Sequence, residues 1–199
     1  MPLEGTMMQT VEIRTATLDD APVFRRVFEL ASEGLAPWVW EQSAGPEKSV
    51  EEIALERMRD KLDKAAPGTC FVAEVDGQAA GGIITYDIGD IPEEIEEDTP
   101  GVFVPLIELE NLAPRTHYIN ALAVFPEFQG RGLGRKLLRQ VFCNALENGM
   151  SLIAEDGNAP ALSLYASEGF AEAARRPIVE AEGWQKPGEN WLLMLRPTV

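Results

Sequence analysis

Residues 129–136, QGRGLGRK, bring together the groups that a phosphate needs. Gly130, Gly132 and Gly134 let the backbone come close to a ligand, while Arg131, Arg135 and Lys136 add positive charge to an otherwise acidic chain. A strand-like run precedes the turn. After it, Leu133, Leu137, Leu138, Val141, Phe142, Ala145 and Leu146 fall on one helical stripe, so a helix packed on a sheet is expected to reach about Asn148 and stop at Gly149. A strand, a glycine turn and a helix in this order aim unpaired N–H groups and the positive end of the helix dipole at one point. The competing reading is a turn that serves only tight strand–helix packing. Two phosphate fingerprints fail. The dinucleotide motif lacks its third glycine, because Arg135 stands three residues after Gly132, and the turn lies past mid-chain. The nucleoside-triphosphate loop needs Gly-Lys-Ser/Thr, where this chain has Gly134-Arg135-Lys136-Leu137.

The elements that must position this turn are legible from periodicity and punctuation. Val11 and Ile13 alternate with polar neighbours as in a half-buried strand. A helix opens at Asp19 or Asp20 with Pro22 in its first turn, carries Val23, Phe24, Val27, Leu30 and Ala31 on one stripe, and ends near Gly34. Residues 36–46 read as a loop holding Trp38 and Trp40. Ser49 and Glu52 form a capping box that opens a helix to about Ala65. Residues 69–88 read as two strands joined at Asp76-Gly77, a hairpin signal, so the sheet is mixed. Residues 87–110 carry nine acidic residues, no basic one and prolines at 92, 100 and 105, and are expected to be an acidic insertion in a single domain spanning 1–199. Strands at 117–124 and 151–155, a helix over 159–168 and two terminal strands complete the α/β pattern.

Composition limits the function. The chain has 199 residues, enough for a substantial core, and a formal net charge of -16. That charge opposes binding to nucleic acid or anionic membranes. No leader or long apolar span is present, and Cys70 and Cys143 are too few to staple a secreted fold, so a cytoplasmic protein with two packing cysteines is expected. Neither cysteine has a nucleophile pattern around it, and no cluster has metal-ligand spacing; no metal is expected.

Gln129, Gly132 and Gly134 after the run LAVFPEF, followed by Asn158, Ala161, Leu164, Tyr165, Gly169 and Phe170, resemble the two signatures of the GNAT superfamily of acyl-CoA-dependent N-acyltransferases. IRTATLDDAP resembles that family's opening strand and helix, so the likeness runs over nearly the whole chain. The resemblance implies a mixed, mostly antiparallel sheet flanked by helices, with two strands splayed into a wedge for acetyl-CoA. It also implies main-chain contacts from the strand Leu122, Ala123 and Val124, and pyrophosphate contacts from Gln129, Gly130, Arg131, Gly132, Leu133, Gly134 and Arg135. Asn158 would contact the pantetheine or, equally, cap the helix at 159. Tyr165 resembles the family's general acid for the leaving thiolate, against a purely packing role.

The acceptor side is less defined. A primary amine of a small molecule or peptide is implied, attacking directly without a covalent enzyme intermediate, and a homodimer is a family-level expectation. The strand Glu that some members use as base stands near the place of Tyr118, so that base is missing. His117, on the strand face opposite Tyr118 and Asn120, is a weak substitute, and Glu108 and Glu110 are alternatives. Trp38 and Trp40 would line an acceptor pocket beside the acidic insertion, suited to a cationic amine with an apolar part, or else pack in the core. A catalytically silent CoA-binding sensor or interaction domain of the same fold is the alternative function.

Overall fold

Alternation at Val11 and Ile13 produces β1 (Val11–Thr15), which pairs antiparallel with β2 (Cys70–Val75). Asp76 and Gly77 both take positive φ, 51° and 76°, and turn β2 tightly into β3 (Gln78–Asp87). The computed structural model describes residues 9–185 and 188–198. Its sheet has seven strands in the order β1-β2-β3-β4-β5-β7-β6, completed by β4 (His117–Val124), β5 (Met150–Glu155), β6 (Ala171–Pro177) and β7 (Asn190–Arg196). Only β4 and β5 run parallel, and every other pairing is antiparallel. The sheet is therefore mixed and mostly antiparallel, as expected. No helix among the described residues is long and apolar enough to cross a membrane.

Helices α1 (Ala21–Ala31) and α3 (Val50–Lys64) cover one face, where Phe24, Val27, Ile53 and Met58 bury against Val72 and Ile84. The capping box at Ser49 and Glu52 is formed in both directions. Helices α5 (Leu133–Gln140) and α6 (Ala159–Ser167) lie on the other face, with Leu137 and Leu138 fully buried beside Ile83, Ile119 and Leu152. Each such leucine contributes about 1.5–3 kcal/mol of burial, enough to fix the start of α5 on the sheet.

Four local expectations are corrected. Residues 36–46 are largely helical: α2 (Leu35–Ser43) follows Gly34 at φ 83°, and Pro37 sits in its first turn, where a missing N–H costs nothing. Helix α5 stops at Gln140 and gives way to a 3-10 turn, where the Asn144 side chain donates to Gly68 O at 2.8 Å. That turn leaves Cys143 exposed, so of the two cysteines only Cys70 packs in the core. Within the acidic segment, residues 104–110 fold as α4 (Val104–Glu110), held down by buried Val102 and Leu109 against Trp184, Trp191 and Leu193.

Candidate active site

The parallel pairing of β4 with β5 ends early. His117, Tyr118 and Ile119 pair with Met150, Ser151 and Leu152, and neither strand pairs with the other beyond that point, although β4 runs on to Val124 and β5 to Glu155. On its other side β4 stays paired with β3 up to Val124. The register there slips, with Ile84 opposite Ala121 and Thr85 opposite Ile119, so Asn120 is an extra, bulged residue. The bulge switches faces: Ile119 and Leu122 pack toward α5, whereas Ala121 packs toward α1. Phe125 donates to Ala80 O on the β3 side, so by strand alternation the N–H and C=O of Val124 and Leu122 face the gap. The Gln129 side chain donates to Val124 O at 3.1 Å, consistent with that direction.

Below the gap lies the glycine turn. Gly130 and Gly132 adopt φ of 76° and 74°, a region costly for other residues, and a Cβ on either would meet open space. Lys136 is the first residue to donate to a helical acceptor, Gly132 O at 3.1 Å. Among the described residues, the amides of 130–135 therefore have no protein partner. Gly134 brings α5 close to α6, where a Cβ would stand 3.4 Å from the Leu164 side chain. Arg135 reaches Ser167 Oγ at 2.9 Å and pairs with Glu168 at 3.0 Å. The Arg131 side chain turns away to Gln9 and Glu127 O, so only its backbone belongs to the turn.

A cleft of about 630 Å³ joins these parts, lined by Leu122, Ala123, Val124, Gln129, Leu133, Arg135, Asn158 and Tyr165, among others. Asn158 caps α6 by accepting from Ala161 N at 3.2 Å and also donates to Glu33 Oε1 at 2.8 Å. The cap reading is thus satisfied, and the side chain additionally ties α6 to the end of α1. Tyr165 is buried edge-on to Phe170, and its hydroxyl has no hydrogen-bond partner among the described residues. Burial pushes its pKa up to about 12.

A second cavity, about 580 Å³, opens on the α1–α3 side and is roofed by Phe103, Leu106 and Glu110 from the acidic segment. It meets the first cleft at Ala31, Asn120, Ala121, Ile153 and Trp191. In this second cavity Glu110 accepts from Tyr86 at 2.9 Å and lies beside Tyr118. Burial raises the pKa of its carboxyl, reinforced by Glu93 and opposed by the two phenols and Lys61. The Lys61 ammonium lies 3.4 Å from Asn120 Oδ1. Trp191 stacks on Trp184, and its buried indole N–H has no partner among the described residues.

The weaker sequence candidates separate here. Tyr118, Asn120, Glu110 and Trp40 line the second cavity. Trp38 does not; its indole donates to Glu182 O at 2.9 Å on the far side of α2. Glu108 is turned outward onto Arg176, because two residues along a helix point to different sides where two along a strand would not. His117 is buried on the opposite face, bridging Asp87 at 2.6 Å and Thr85 at 2.8 Å, and lines neither cleft. Tyr86, Lys61, Arg57 and Trp191 escaped sequence reasoning. The helical spacing of Arg57 and Lys61 was visible, but nothing local linked α3 to this cavity. Among the described residues, no group of three or more His, Cys, Asp or Glu side chains is placed to hold a metal.

Residues 32–170 match the model of a family described as "Acetyltransferase (GNAT) family". A thialysine N-epsilon-acetyltransferase of Sus scrofa is 37% identical over 73 residues, covering 35% of this chain and 40% of that protein. The chain thus matches well under half the length of that relative. A crystal structure of a Pyrococcus horikoshii OT3 protein superposes with a TM-score of 0.61 over 96% of this chain and 99% of its own, at 19% identity. The paia N-acetyltransferase of Thermoplasma acidophilum, solved in complex with coenzyme A, superposes with a TM-score of 0.55 over 94% and 99%, at 14% identity. At these identities the structural likenesses establish a shared fold.

Proposed function

The chain belongs to the acetyltransferase (GNAT) family, and from that premise we propose that it transfers an acetyl group from acetyl-CoA to a primary amine by direct attack in a ternary complex. The observation that carries the reading is the seam at Ile119 and Asn120, where β4 parts from β5 and the two clefts meet. The free amides of 130–135 suit a pyrophosphate, and the gap-facing groups of Leu122 and Val124 suit a pantetheine arm laid along β4 like an added strand. The Leu122 amide is the donor for a thioester oxygen on which negative charge develops. Acetyl-CoA supplies the activated acyl group; the chain supplies position and protons.

The acceptor amine enters from the second cavity. Glu110, partly buried with a raised pKa, is the base that takes the ammonium proton, directly or through water, and Tyr86 and Tyr118 orient it. Tyr165, whose raised pKa keeps the phenol protonated, is the acid that protonates the leaving thiolate. A silent CoA binder has no need of a second cavity that meets the first and holds a buried carboxyl, which favours turnover over that alternative.

Calorimetric titration with acetyl-CoA, free CoA and NAD tests the reading. Saturable binding of acetyl-CoA and CoA but not NAD is expected, weakened about tenfold or more in Gly132→Asp, which places a carboxylate and a strained φ at the turn. Preference for NAD, or no binding of any of the three, would sink it.

A further inference from the structure

The charge of the second cavity is opposite to that of the protein. With 33 acidic and 17 basic residues, most cations find carboxylates: Arg14 pairs with Asp20, Arg26 with Glu127, Arg139 with Glu168 and Arg176 with Glu108. Among the described residues, Arg57 and Lys61, both lining the cavity, have no carboxylate within 4.0 Å. Arg57 donates to Ser43 Oγ at 2.8 Å, and Lys61 sits 3.4 Å from Asn120 Oδ1 with its ammonium 5.2 Å from the centre of the Phe28 ring. They stand four residues apart on α3, so both project to the same side, an arrangement of like charges that is unfavourable unless an anion joins them. Burial lowers the pKa of the Lys61 ammonium, opposed by the charge of Glu110 and helped by that of Arg57. Of the two acids lining the cavity, Asp60 is already paired with Lys64 at 2.6 Å, which leaves Glu110. Of the remaining acids of the acidic segment, Asp87, Asp90, Glu93, Glu94, Glu96, Glu97 and Asp98 are exposed, Glu108 is paired with Arg176, and none lines the cavity.

Resting on the acyl-transfer reading, we propose that the acceptor is an amine that also carries a carboxylate: its amine lies against Glu110, its carboxylate against Lys61 and Arg57, and its apolar body against Phe28, Leu35 and Trp40. A polyamine would place a second ammonium beside two unpaired cations. An amino carboxylate neutralises them, and a cavity of about 580 Å³ lined by aromatic and aliphatic side chains has room for its apolar part.

Three matched pairs of probes test this at saturating acetyl-CoA: phenylalanine with 2-phenylethylamine, leucine with 3-methylbutylamine, and 6-aminohexanoate with hexylamine. For at least one pair kcat/KM, read as CoA release, is expected to favour the carboxylate-bearing member by about tenfold or more. Lys61→Met should bring that ratio near one, mostly through KM, and Lys61→Arg should restore it. Equal or better use of the plain amine in all three pairs, or a preference that survives both Lys61→Met and Arg57→Met, overturns the proposal. Where neither member of any pair turns over, calorimetry on the CoA-saturated protein decides. Binding of an amino carboxylate that Lys61→Met abolishes upholds the proposal, and no binding of any probe overturns it. Acetyl-CoA titration of the same samples separates the two levels, because loss of acetyl-CoA binding counts against acyl transfer itself, whereas charge-blind use of amines counts only against the carboxylate site.

Discussion

The Tyr86 phenol, on β3, donates to the Glu110 carboxylate, at the end of α4, across 2.9 Å. The two residues are 24 positions apart, and Tyr118 on the neighbouring strand joins them, its ring centroid 5.1 Å from that of Tyr86. A carboxylate is thereby fixed in the second cavity by the Tyr86 phenol, beside Tyr118.

Replacing Glu110 with Gln is expected to lower kcat/KM about 100-fold and to remove the acidic limb of its pH profile. In the wild type that limb should lie above the ordinary glutamate pKa of about 4.3, because burial raises the pKa of this carboxyl. The sign for stability follows. A carboxyl whose pKa is raised in the fold favours folding while it is protonated, and that contribution is lost as pH rises through the folded-state pKa. Thermal melts of Glu110→Gln against wild type should therefore show the variant gaining relative Tm from pH 4 to pH 8. A pH-independent difference would remove Glu110 as the titrating group.

Tyr165→Phe is expected to reduce kcat by about 100-fold and to leave the affinity for acetyl-CoA unchanged. With a pKa near 12, the phenol keeps its proton across the working range, and since burial raises Tyr86 and Tyr118 as well, the ultraviolet titration step above pH 10 that is missing from Tyr165→Phe identifies it. The hydroxyl has no partner to lose, so the melting temperature should hold. An unchanged kcat across pH would return Tyr165 to a packing role.

His117 bridges β4 to Asp87 and Thr85 on the face away from both clefts. His117→Ala is expected to cost about 1–3 kcal/mol of stability through the lost bonds and packing, read as a Tm lower by several degrees. The activity of the folded fraction and its acidic limb should persist. Loss of that limb with the fold intact would make this histidine the base instead of Glu110.

Sequence alone determined the glycine turn, the strand and helix on either side of it, the Asp76-Gly77 hairpin and the capped helix α3, because each is written in residues near one another in the chain. Glycines at positive φ, a capping box and a stripe of leucines act over a few residues, so their physics is local. Leu122, Val124, Asn158 and Tyr165 line one cleft, since strand alternation and helical spacing carry direction as well as type. Only the tertiary structure decided where β4 leaves β5, because the bulge at Asn120 depends on pairing with β3, some 35 residues upstream. It also chose between Glu108 and Glu110. Folding of residues 104–110 as a helix, pinned by Leu109 in the core, sends one glutamate out to Arg176 and the other into the second cavity. The unpaired cations Arg57 and Lys61 were visible only once α3 stood beside Phe28 and Asn120. Whether a charge is satisfied depends on what the fold brings within 4 Å of it, and no stretch of local sequence records that.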